Sequence, residues 1–323
     1  MKILLIDADS TIPNLALMKI SAFYKSNFWG CIVDLTRLFI PYYPDRKKIV
    51  HNINTSCYDL IFCSVIFEGS ANYVKGENIQ FGGSGFDLTT KLPEEIENSE
   101  PDYSIYNETK TSYGFISRGC IRKCSFCKVH LMEGFVRQVS TVKQISKHKT
   151  VKFLDNNFLA LPNHCDILQE LIELNVKHQF NQGLDIRLVT EENSILLSKL
   201  NYWKEYIFAF DNLDQQTIIE KQLSLLTWRK DWQFKFFVYV KPDMKLNETI
   251  KRIEFLKERK LLPYIMRDIS CWKSENREFY IDIAAWCNQV FAFKSLSFEQ
   301  FLKRRHTNKD RIQTSLHKWN SNK

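Results

Sequence analysis

The stretch YGFISRGCIRKCSFC, residues 113–127, places three of the nine cysteines of the chain directly after a short apolar run. These cysteines are Cys120, Cys124 and Cys127, at spacings of four and three. The residues that surround them with positive charge are Arg118, Arg122, Lys123 and Lys128. A tight triplet within an odd total does not make a disulfide framework, so the pattern predicts metal chemistry in a reducing compartment.

Three kinds of site could use these thiols. A structural zinc would need a fourth ligand, for which His130 is the nearest candidate, but the spacing is not that of common zinc ribbons. A dithiol redox pair would use Cys124 and Cys127 and leave Cys120 without a role. A [4Fe–4S] cluster would use all three thiolates, leave one iron open for a further ligand, and be favoured by the nearby cations. We favour the cluster because it uses every cysteine of the triplet and needs no fourth protein ligand.

The chain after residue 110 alternates apolar strands with helical patterns, which indicates a parallel sheet covered by helices. The candidate strands are YGFIS, VKFLDNNF, HQFNQGLDIRLV, YIFAFD, FKFFVYV and LPYIMRD. Six repeats are too few to close an eight-fold barrel, so we predict a partial (β/α)6 barrel over residues 111–275. Its site would lie at the C-terminal ends of the strands, and the cysteine triplet follows the first of them.

The first 90 residues follow a related pattern. They begin with KILLID and continue with CIVDL, YDLIFCSVIF and NIQFGG, and a helical pattern lies after the first strand. Buried-type strands in strand–helix–strand order predict a small Rossmann-like domain over residues 1–90. Its GGSG run, Gly82–Gly85, is predicted to be a tight turn; a phosphate-binding loop is the alternative. Residues 91–110, polar and acidic, are predicted to be a surface linker.

The C-terminal extension, residues 276–323, is predicted to be helical and basic. Residues 299–323 carry seven Lys and Arg against two acids, a local net charge of +5. Such a surface suits nucleic acid or another polyanion, and Trp286, Phe301 and Trp319 are candidate stacking surfaces for bases. The alternative is a solvated helix face, and the charge alone leaves both interpretations open.

The motif GCIRKCSFC, residues 119–127, fits the pattern CxxxCxΦC, and through it the chain resembles the radical S-adenosylmethionine (SAM) superfamily over residues 111–270. The resemblance implies a [4Fe–4S] cluster on Cys120, Cys124 and Cys127, with the methionine part of SAM on the open iron. It also implies reductive cleavage of SAM to a 5′-deoxyadenosyl radical that abstracts a hydrogen atom from the substrate. The electron would come from a donor such as flavodoxin or ferredoxin.

The resemblance further implies which side chains meet SAM near the motif and the second strand. Phe126, the Φ position, would lie near the adenine, with a core aromatic as the alternative. Asp155 and Asn156, together with Asn157, stand where the superfamily often has a Gly-Gly-Glu turn that contacts the methionine amine. The chain departs from that turn, so these residues are candidates by position, and a turn or helix-capping role is the alternative.

The next two strand ends supply further candidates. Gln182, Asp185 and Arg187 are predicted to lie in the third strand, where Asp185 and Arg187 would point to the same side. Placed inward, they would hold the ribose hydroxyls and the methionine carboxylate of SAM, or they would form a buried structural pair. Asp211, at the end of the fourth strand, is predicted to contact ribose or substrate.

The N-terminal region resembles the cobalamin-binding subgroup of the same superfamily, which includes many methyltransferases. The phrases LPEEIE and GGSG before the core are similar to the linker of that subgroup. The chain has no DxHxxG motif, and His51 in VHNIN does not fit it. Cobalamin would therefore bind without a protein histidine, or the domain no longer binds it; we favour a domain that has lost cobalamin or binds a different ligand.

Location and partners are expected from what the sequence lacks. No apolar run approaches the roughly 18–20 residues that cross a bilayer, so no membrane partner is expected. The N-terminus MKILLIDADS is predicted to be a first strand and not a signal peptide, which makes the cytoplasm the expected location. Cys271 and Cys287 are candidates for a second cluster or a radical partner, with small buried residues as the alternative.

The substrate is not written in the motifs. On charge alone we favour a nucleic acid or nucleotide as the substrate of a radical SAM enzyme. One alternative is a radical SAM enzyme for a small molecule or peptide, including cobalamin-dependent methyl transfer. Another is a non-enzymatic protein that binds a structural metal through its cysteines and nucleic acid through its tail.

Overall fold

The structure is a computed structural model that describes residues 1–322. The chain separates into two compact units. Unit 1 comprises Met1–Gly114 and Arg122–Gly134, and unit 2 comprises Phe115–Ile121 and the chain from Phe135 onward. Lys323, counted in the predicted basic tail, lies outside the described residues.

Unit 1 is built on a four-stranded parallel sheet. The strands of unit 1, inside and outside this sheet, are β1 (Lys2–Asp7), β2 (Ile32–Arg37), β3 (His51–Asn52), β4 (Leu60–Ser64), β5 (Val74–Lys75), β6 (Ile79–Gly82) and β7 (Thr111–Gly114). Its helices are α1 (Leu15–Asn27), α2 (Glu94–Glu97) and α3 (Val129–Met132). The sheet has the order β2-β1-β4-β6, and each pair in it is parallel. Parallel pairs in this order form an open α/β sheet, and the assignment of residues 1–90 as a Rossmann-like domain stays a prediction.

The apolar run KILLID forms the central strand because both of its faces are covered. Ile3 and Leu5 pack in one cluster with residues of α1, whereas Leu4 and Ile6 pack in a second cluster with β4. Successive side chains of a strand point to opposite faces, so a strand buried on both faces reads as a continuous apolar run.

The segment predicted to be a surface linker packs on α1. Ile96 in α2 is buried in the same cluster as helix residues of α1. Asp102 accepts hydrogen bonds from Ser21 Oγ and Lys25 Nζ, both at 2.7 Å. Burial acts to raise the pKa of Asp102, but the bonds from Lys25, Ser104 and Ser21 lower it to about 2. Ion pairing and hydrogen bonds therefore fasten residues 91–110 to unit 1.

Unit 2 contains the remaining elements. Its strands are β8 (Ser117–Arg118), β9 (Arg137–Gln138), β10 (Thr150–Phe153), β11 (Lys177–Phe180), β12 (Tyr206–Ala209), β13 (Phe234–Val240) and β14 (Leu262–Arg267). Its helices are α4 (Val142–Ile145), α5 (His164–Glu173), α6 (Glu191–Lys199), α7 (Gln216–Leu225), α8 (Leu246–Glu258), α9 (Arg277–Cys287), α10 (Val290–Ser295), α11 (Phe298–Arg305) and α12 (Lys309–Asn320). Strands and helices alternate from β10 to β14, as predicted.

Parallel pairing joins β10 to β11 and links β12, β13 and β14 in that order. Leu184 N donates to Ile207 O at 2.8 Å, which connects the turn after β11 to β12. The FKFFVYV strand, β13, alternates buried and partly buried residues, with the apolar side chains of one face in the core. The predicted first strand YGFIS is interrupted, because β7 ends at Gly114 and the two-residue β8 pairs antiparallel with β9.

The prediction that Gln182, Asp185 and Arg187 lie in a strand is wrong. Strand β11 ends at Phe180, and Gly183 follows with φ +91°, a conformation that favours glycine. A Cβ at Gly183 would approach Ile207 to 3.0 Å. Asp185 then begins the 3₁₀ helix Ile186–Leu188 by accepting a bond from Arg187 N at 3.2 Å. The positive φ of Gly183 and the bond that Asp185 accepts from Arg187 N therefore prevent strand β11 from continuing.

The basic C-terminal segment folds onto unit 2 through a buried carboxylate. Asp282 in α9 is fully buried and accepts bonds from His306 Nε2 at 2.8 Å, Arg311 Nη2 at 3.0 Å and Ser315 Oγ at 3.1 Å. Arg305 Nε lies 3.7 Å from the same carboxylate. Part of the positive charge of the tail is therefore used to hold α11 and α12 against α9.

The aromatic residues of this segment are core residues. Trp286, Phe301 and Trp319 are 2%, 5% and 5% exposed. Trp286 and Trp319 pack edge to face, with ring centroids 5.6 Å apart. The prediction that these rings offer stacking surfaces to bases is wrong, because their apolar faces fill the core between the C-terminal helices.

His178 in β11 is a fully buried histidine among aromatic rings. Its Nδ1 is 2.7 Å from Val176 O, while its Nε2 has no hydrogen-bond partner within residues 1–322. The rings of Phe153, Phe180 and Tyr202 surround it. Burial lowers the pKa of His178 to about 4.

The buried His178 is expected to make the protein sensitive to acid. The unfolded chain protonates this histidine near its ordinary pKa of about 6.5, whereas the folded protein does so only near 4. Burial of the neutral His178 therefore causes no loss of stability above pH 6.5. The free energy of unfolding falls by about 3 kcal/mol as the pH drops to 4. Urea unfolding at pH 7.5 and pH 5 should show a smaller acid loss for His178→Phe than for the wild type. The exposed His317→Gln should match the wild type, and equal losses in all three proteins would contradict this prediction.

Candidate functional site

The cysteine motif begins in unit 2 and continues in unit 1. Cys120 follows β8 and Gly119, whose φ of +90° is readily adopted only by glycine. Cys124 and Cys127 belong to the segment 122–134, in which Cys127 N donates to Cys124 O at 3.0 Å and closes a turn. Cys120 therefore follows a glycine turn of unit 2, and a turn of unit 1 joins Cys124 to Cys127.

The thiols have the chemistry that an iron–sulfur cluster needs. All nine cysteines are free of disulfides, and the three of the motif are partly buried. Within residues 1–322, no three His, Cys, Asp or Glu side chains lie close enough together to hold a metal ion. The donor set of three thiols nevertheless has the ligand chemistry of an iron–sulfur cluster.

Asp155 fixes the segment that leads to Cys120. This residue follows β10 and is fully buried. Its carboxylate accepts bonds from Ser117 N at 2.5 Å, Ser117 Oγ at 2.6 Å and Ile116 N at 3.2 Å. Burial raises the pKa of Asp155 to about 6, against the effect of these bonds. The cofactor contact predicted for Asp155 stays a prediction; its visible task is to position the backbone at residues 116–117.

Asn157 connects Cys120 to the predicted acid–base pair. Its Nδ2 lies 3.3 Å from Cys120 Sγ and 3.4 Å from Asp185 Oδ2. Asp185 in turn pairs with Arg187, whose Nε and Nη2 donate to the carboxylate at 2.6 and 3.0 Å. The ends of β10 and β11 therefore bring a motif sulfur, an amide and an ion pair into one chain of contacts.

Asp211 lies near the same ion pair. Its Oδ1 accepts a bond from Tyr239 N at 3.0 Å. Burial raises the pKa of Asp211, while Arg252 and Arg187 oppose the shift and Asp185 adds to it. Asp211 thus lies within electrostatic range of Asp185 and Arg187, as expected for residues at neighbouring strand ends.

Three other predicted residues are more exposed. Gln182 lies on the surface in the turn after β11, and Asn156 is partly buried in the turn after β10. Phe126 is 41% exposed, so it is not a core aromatic. The contacts with SAM predicted for these residues stay predictions.

Arg252 in α8 was missed by the sequence analysis. It is fully buried, and its Nη1 donates to Phe210 O at 2.8 Å and to Tyr239 O at 3.2 Å. Burial lowers the pKa of Arg252 to about 10. It ties the end of β12 to β13 beside Asp211. The available signal was a charged residue on an otherwise apolar helix face, with Leu256 four positions later.

The carboxyl edge of the unit 1 sheet is closed by a carboxylate and two glycines. Asp9 accepts bonds from Ile66 N at 2.8 Å and Phe67 N at 2.9 Å. A Cβ at Gly83, which has φ +98°, would lie 2.4 Å from a backbone oxygen of the loop after β4, and a Cβ at Gly85 would clash in the same loop. The tight-turn interpretation of GGSG is confirmed, because its glycines permit this close approach of two loops.

The same edge presents apolar side chains to solvent. Phe39, Ile66 and Phe86 follow the carboxyl ends of β2, β4 and β6, and each is exposed. Open α/β sheets commonly bind ligands at this edge. His51 lies in β3, paired with Val74, and not in the loop after β1. His51 is therefore not placed in the loop where a DxHxxG-type histidine ligand would be expected.

Cys271 and Cys287 are small core residues. Each is 1% exposed, and Cys271 Sγ lies 3.5 Å from Val240 O. Burial raises the pKa of Cys271 to about 12 and raises that of Cys287 well above its ordinary value. Their burial supports the alternative of small core residues, and a second cluster or radical partner at these positions stays a prediction.

Within residues 1–322, no helix is both long enough and apolar enough to cross a membrane.

No protein-family model and no curated protein matches the chain in sequence. Solved structures do match its fold. One is the radical S-adenosylmethionine methyltransferase TsrM from Kitasatospora setae with cobalamin and a [4Fe–4S] cluster bound, at 10% identity and a TM-score of 0.55. Another is the same enzyme with tryptophan substrate and the SAM analogue aza-SAM, at 11% identity and a TM-score of 0.56.

Each match covers 82% of this chain and 72% of the TsrM chain. At this identity the likeness concerns the fold. The chain therefore shares an α/β fold with this solved structure over most of its length.

Proposed function

We propose that the chain is a cobalamin-dependent radical SAM methyltransferase for a small organic molecule. The observation that carries this proposal is the CxxxCxΦC motif, Cys120 to Cys127, within a chain whose fold matches such an enzyme over 82% of its length.

The residues of this chain have distinct tasks in the proposed reaction. Cys120, Cys124 and Cys127 would hold the cluster, and Asp155 fixes the backbone before the first of them. Asp185 and Arg187 present a carboxylate and a guanidinium, groups that bind hydroxyls and carboxylates of the kind SAM carries. When bound, the cluster supplies electrons and cobalamin carries the methyl group.

A small substrate is favoured over nucleic acid. The C-terminal rings that were candidates for base stacking are buried, and Asp282 already pairs with Arg311. TsrM, the structural neighbour, is described with a tryptophan substrate. These observations support the alternative of methyl transfer to a small molecule and give no support to a nucleic-acid substrate.

Cobalamin would bind without a histidine from the DxHxxG motif. The exposed Phe39, Ile66 and Phe86 at the carboxyl edge of the unit 1 sheet suit the flat apolar face of such a cofactor. If the domain has instead lost cobalamin, added cobalamin should not change the rate of methyl transfer or of SAM cleavage.

The deciding experiment is anaerobic reconstitution followed by a labelled assay. We expect about four iron and four sulfide per chain. With a reductant, SAM carrying a deuterated methyl group and a panel of aromatic amino acids and other small molecules, mass spectrometry should detect a deuterated methyl product that forms only with cobalamin. Iron with SAM cleavage but no cobalamin dependence would refute methyl transfer by this route. One zinc per chain and no iron would refute the enzyme proposal and favour a structural site that includes His130.

A further inference from the structure

Asn157 is a buried amide whose position local structure does not explain. It precedes the 3₁₀ helix Phe158–Ala160, yet its side chain makes no capping bond to that helix. Only 3% of the residue is exposed, so its amide must find its partners inside the protein. Those partners are Cys120 Sγ at 3.3 Å and Asp185 Oδ2 at 3.4 Å from Nδ2.

The surroundings fix which end of the amide faces the sulfur. An ionised carboxylate and a thiolate both accept hydrogen bonds, and the NH₂ group has two hydrogens to donate. A reversed amide would put its oxygen against the Asp185 carboxylate, which Arg187 already holds in place through two bonds. The orientation with Nδ2 toward Cys120 and Asp185 is therefore the favourable one.

The other end of the amide supports a role beyond folding. Oδ1 of Asn157 is buried and has no hydrogen-bond partner in residues 1–322. An unpaired buried oxygen opposes folding, and an apolar residue of similar shape would avoid this loss. The amide is thus unfavourable for stability at one end while its other end contacts a motif sulfur.

We propose that Asn157 is a positioning residue that donates an N–H···S hydrogen bond to the Cys120 thiolate and raises the reduction potential of the cluster. The inference rests on the proposed function, since it presumes the cluster. A hydrogen bond to a ligand sulfur stabilises the more negative, reduced state of an iron–sulfur cluster, so its presence shifts the potential upward. Asp185, held by Arg187, accepts the second N–H and keeps the amide aligned.

The test compares variants of nearly equal shape. Asn157→Leu removes both donors, and we expect a reconstituted protein with full iron content and a more negative midpoint potential. Asn157→Asp places a like charge against the sulfur and should shift the potential further in the same direction. The control is Asn163→Leu, an exposed amide bonded to Gln138, which should keep the wild-type potential. Redox titration followed by electron paramagnetic resonance measures all four proteins.

A wild-type potential in fully loaded Asn157→Leu would overturn the inference and leave the proposed function intact. A wild-type protein that binds no iron would overturn the proposed function instead. If Asn157→Leu does not fold, the wild type labelled with ¹⁵N in its asparagine side-chain amides decides the matter. Its reduced cluster should show a ¹⁵N coupling in pulsed resonance spectra that is lost in Asn157→Asp, and the absence of that coupling in the wild type would overturn the inference.

Discussion

Replacing Cys124 by alanine is expected to abolish both cluster assembly and SAM cleavage. Three thiolates hold four irons, and two of them cannot keep the cluster against loss to solvent. Iron after anaerobic reconstitution should fall from about four atoms per chain to less than about one, with no 5′-deoxyadenosine formed. Iron analysis and chromatography of the SAM products measure the two effects.

The matched control for this loss is Cys165→Ala. Cys165 is a partly buried cysteine of α5 that lies outside the motif, so its replacement should leave iron content and SAM cleavage unchanged. A second control, His130→Ala, separates cluster from zinc, because only a zinc site would use that imidazole as its fourth ligand. If Cys124→Ala still binds iron and cleaves SAM as the wild type does, the motif has been assigned wrongly.

Replacing Arg252 by methionine is expected to destabilise unit 2 by about 3 kcal/mol. The change removes the Arg252 donor from Phe210 O and Tyr239 O, and the loss of a hydrogen bond between buried groups costs about 1–3 kcal/mol. It also removes one of the two cations that oppose the rise in the pKa of Asp211, so that carboxyl would become protonated more readily. Urea unfolding at pH 7 measures the loss of stability.

Arg259→Met is the control for the arginine of α8. Arg259 caps the end of the same helix and pairs with Glu220, but both side chains are partly exposed. Such a pair contributes about 0–1 kcal/mol, so its loss should be small. Equal losses for the two variants would show that the buried hydrogen bonds of Arg252 do not carry the effect.

Elements whose burial follows from periodicity were predictable. KILLID has the continuous apolar run of a strand that is buried on both faces. FKFFVYV has the alternating burial of a strand with one face in the core. The cysteine motif was likewise visible, because its spacing is fixed within one loop. Local patterns of this kind do not depend on residues far away in the chain.

Features that depend on distant partners were not predictable. The sequence after Phe180 predicts a continued strand. In the structure Gly183 instead adopts a positive φ beside Ile207, a residue of another strand. Asn157 reads as a turn residue, and only the folded chain shows its amide beside Cys120. The basic tail reads as a free charged surface, whereas Asp282, which binds its cations, lies in an earlier helix and is buried by them.

The Asp9 carboxylate restricts which ligands can bind at the carboxyl edge of the unit 1 sheet. In a mononucleotide-binding sheet, backbone amides at this edge are open to phosphate, but here the Asp9 carboxylate already holds the amides of Ile66 and Phe67. A phosphate that sought the same amides would have to displace a carboxylate and approach a negative charge. A neutral or cationic group meets no such barrier. The negative charge of Asp9 therefore disfavours phosphate at these two amides, whatever the shape of the ligand.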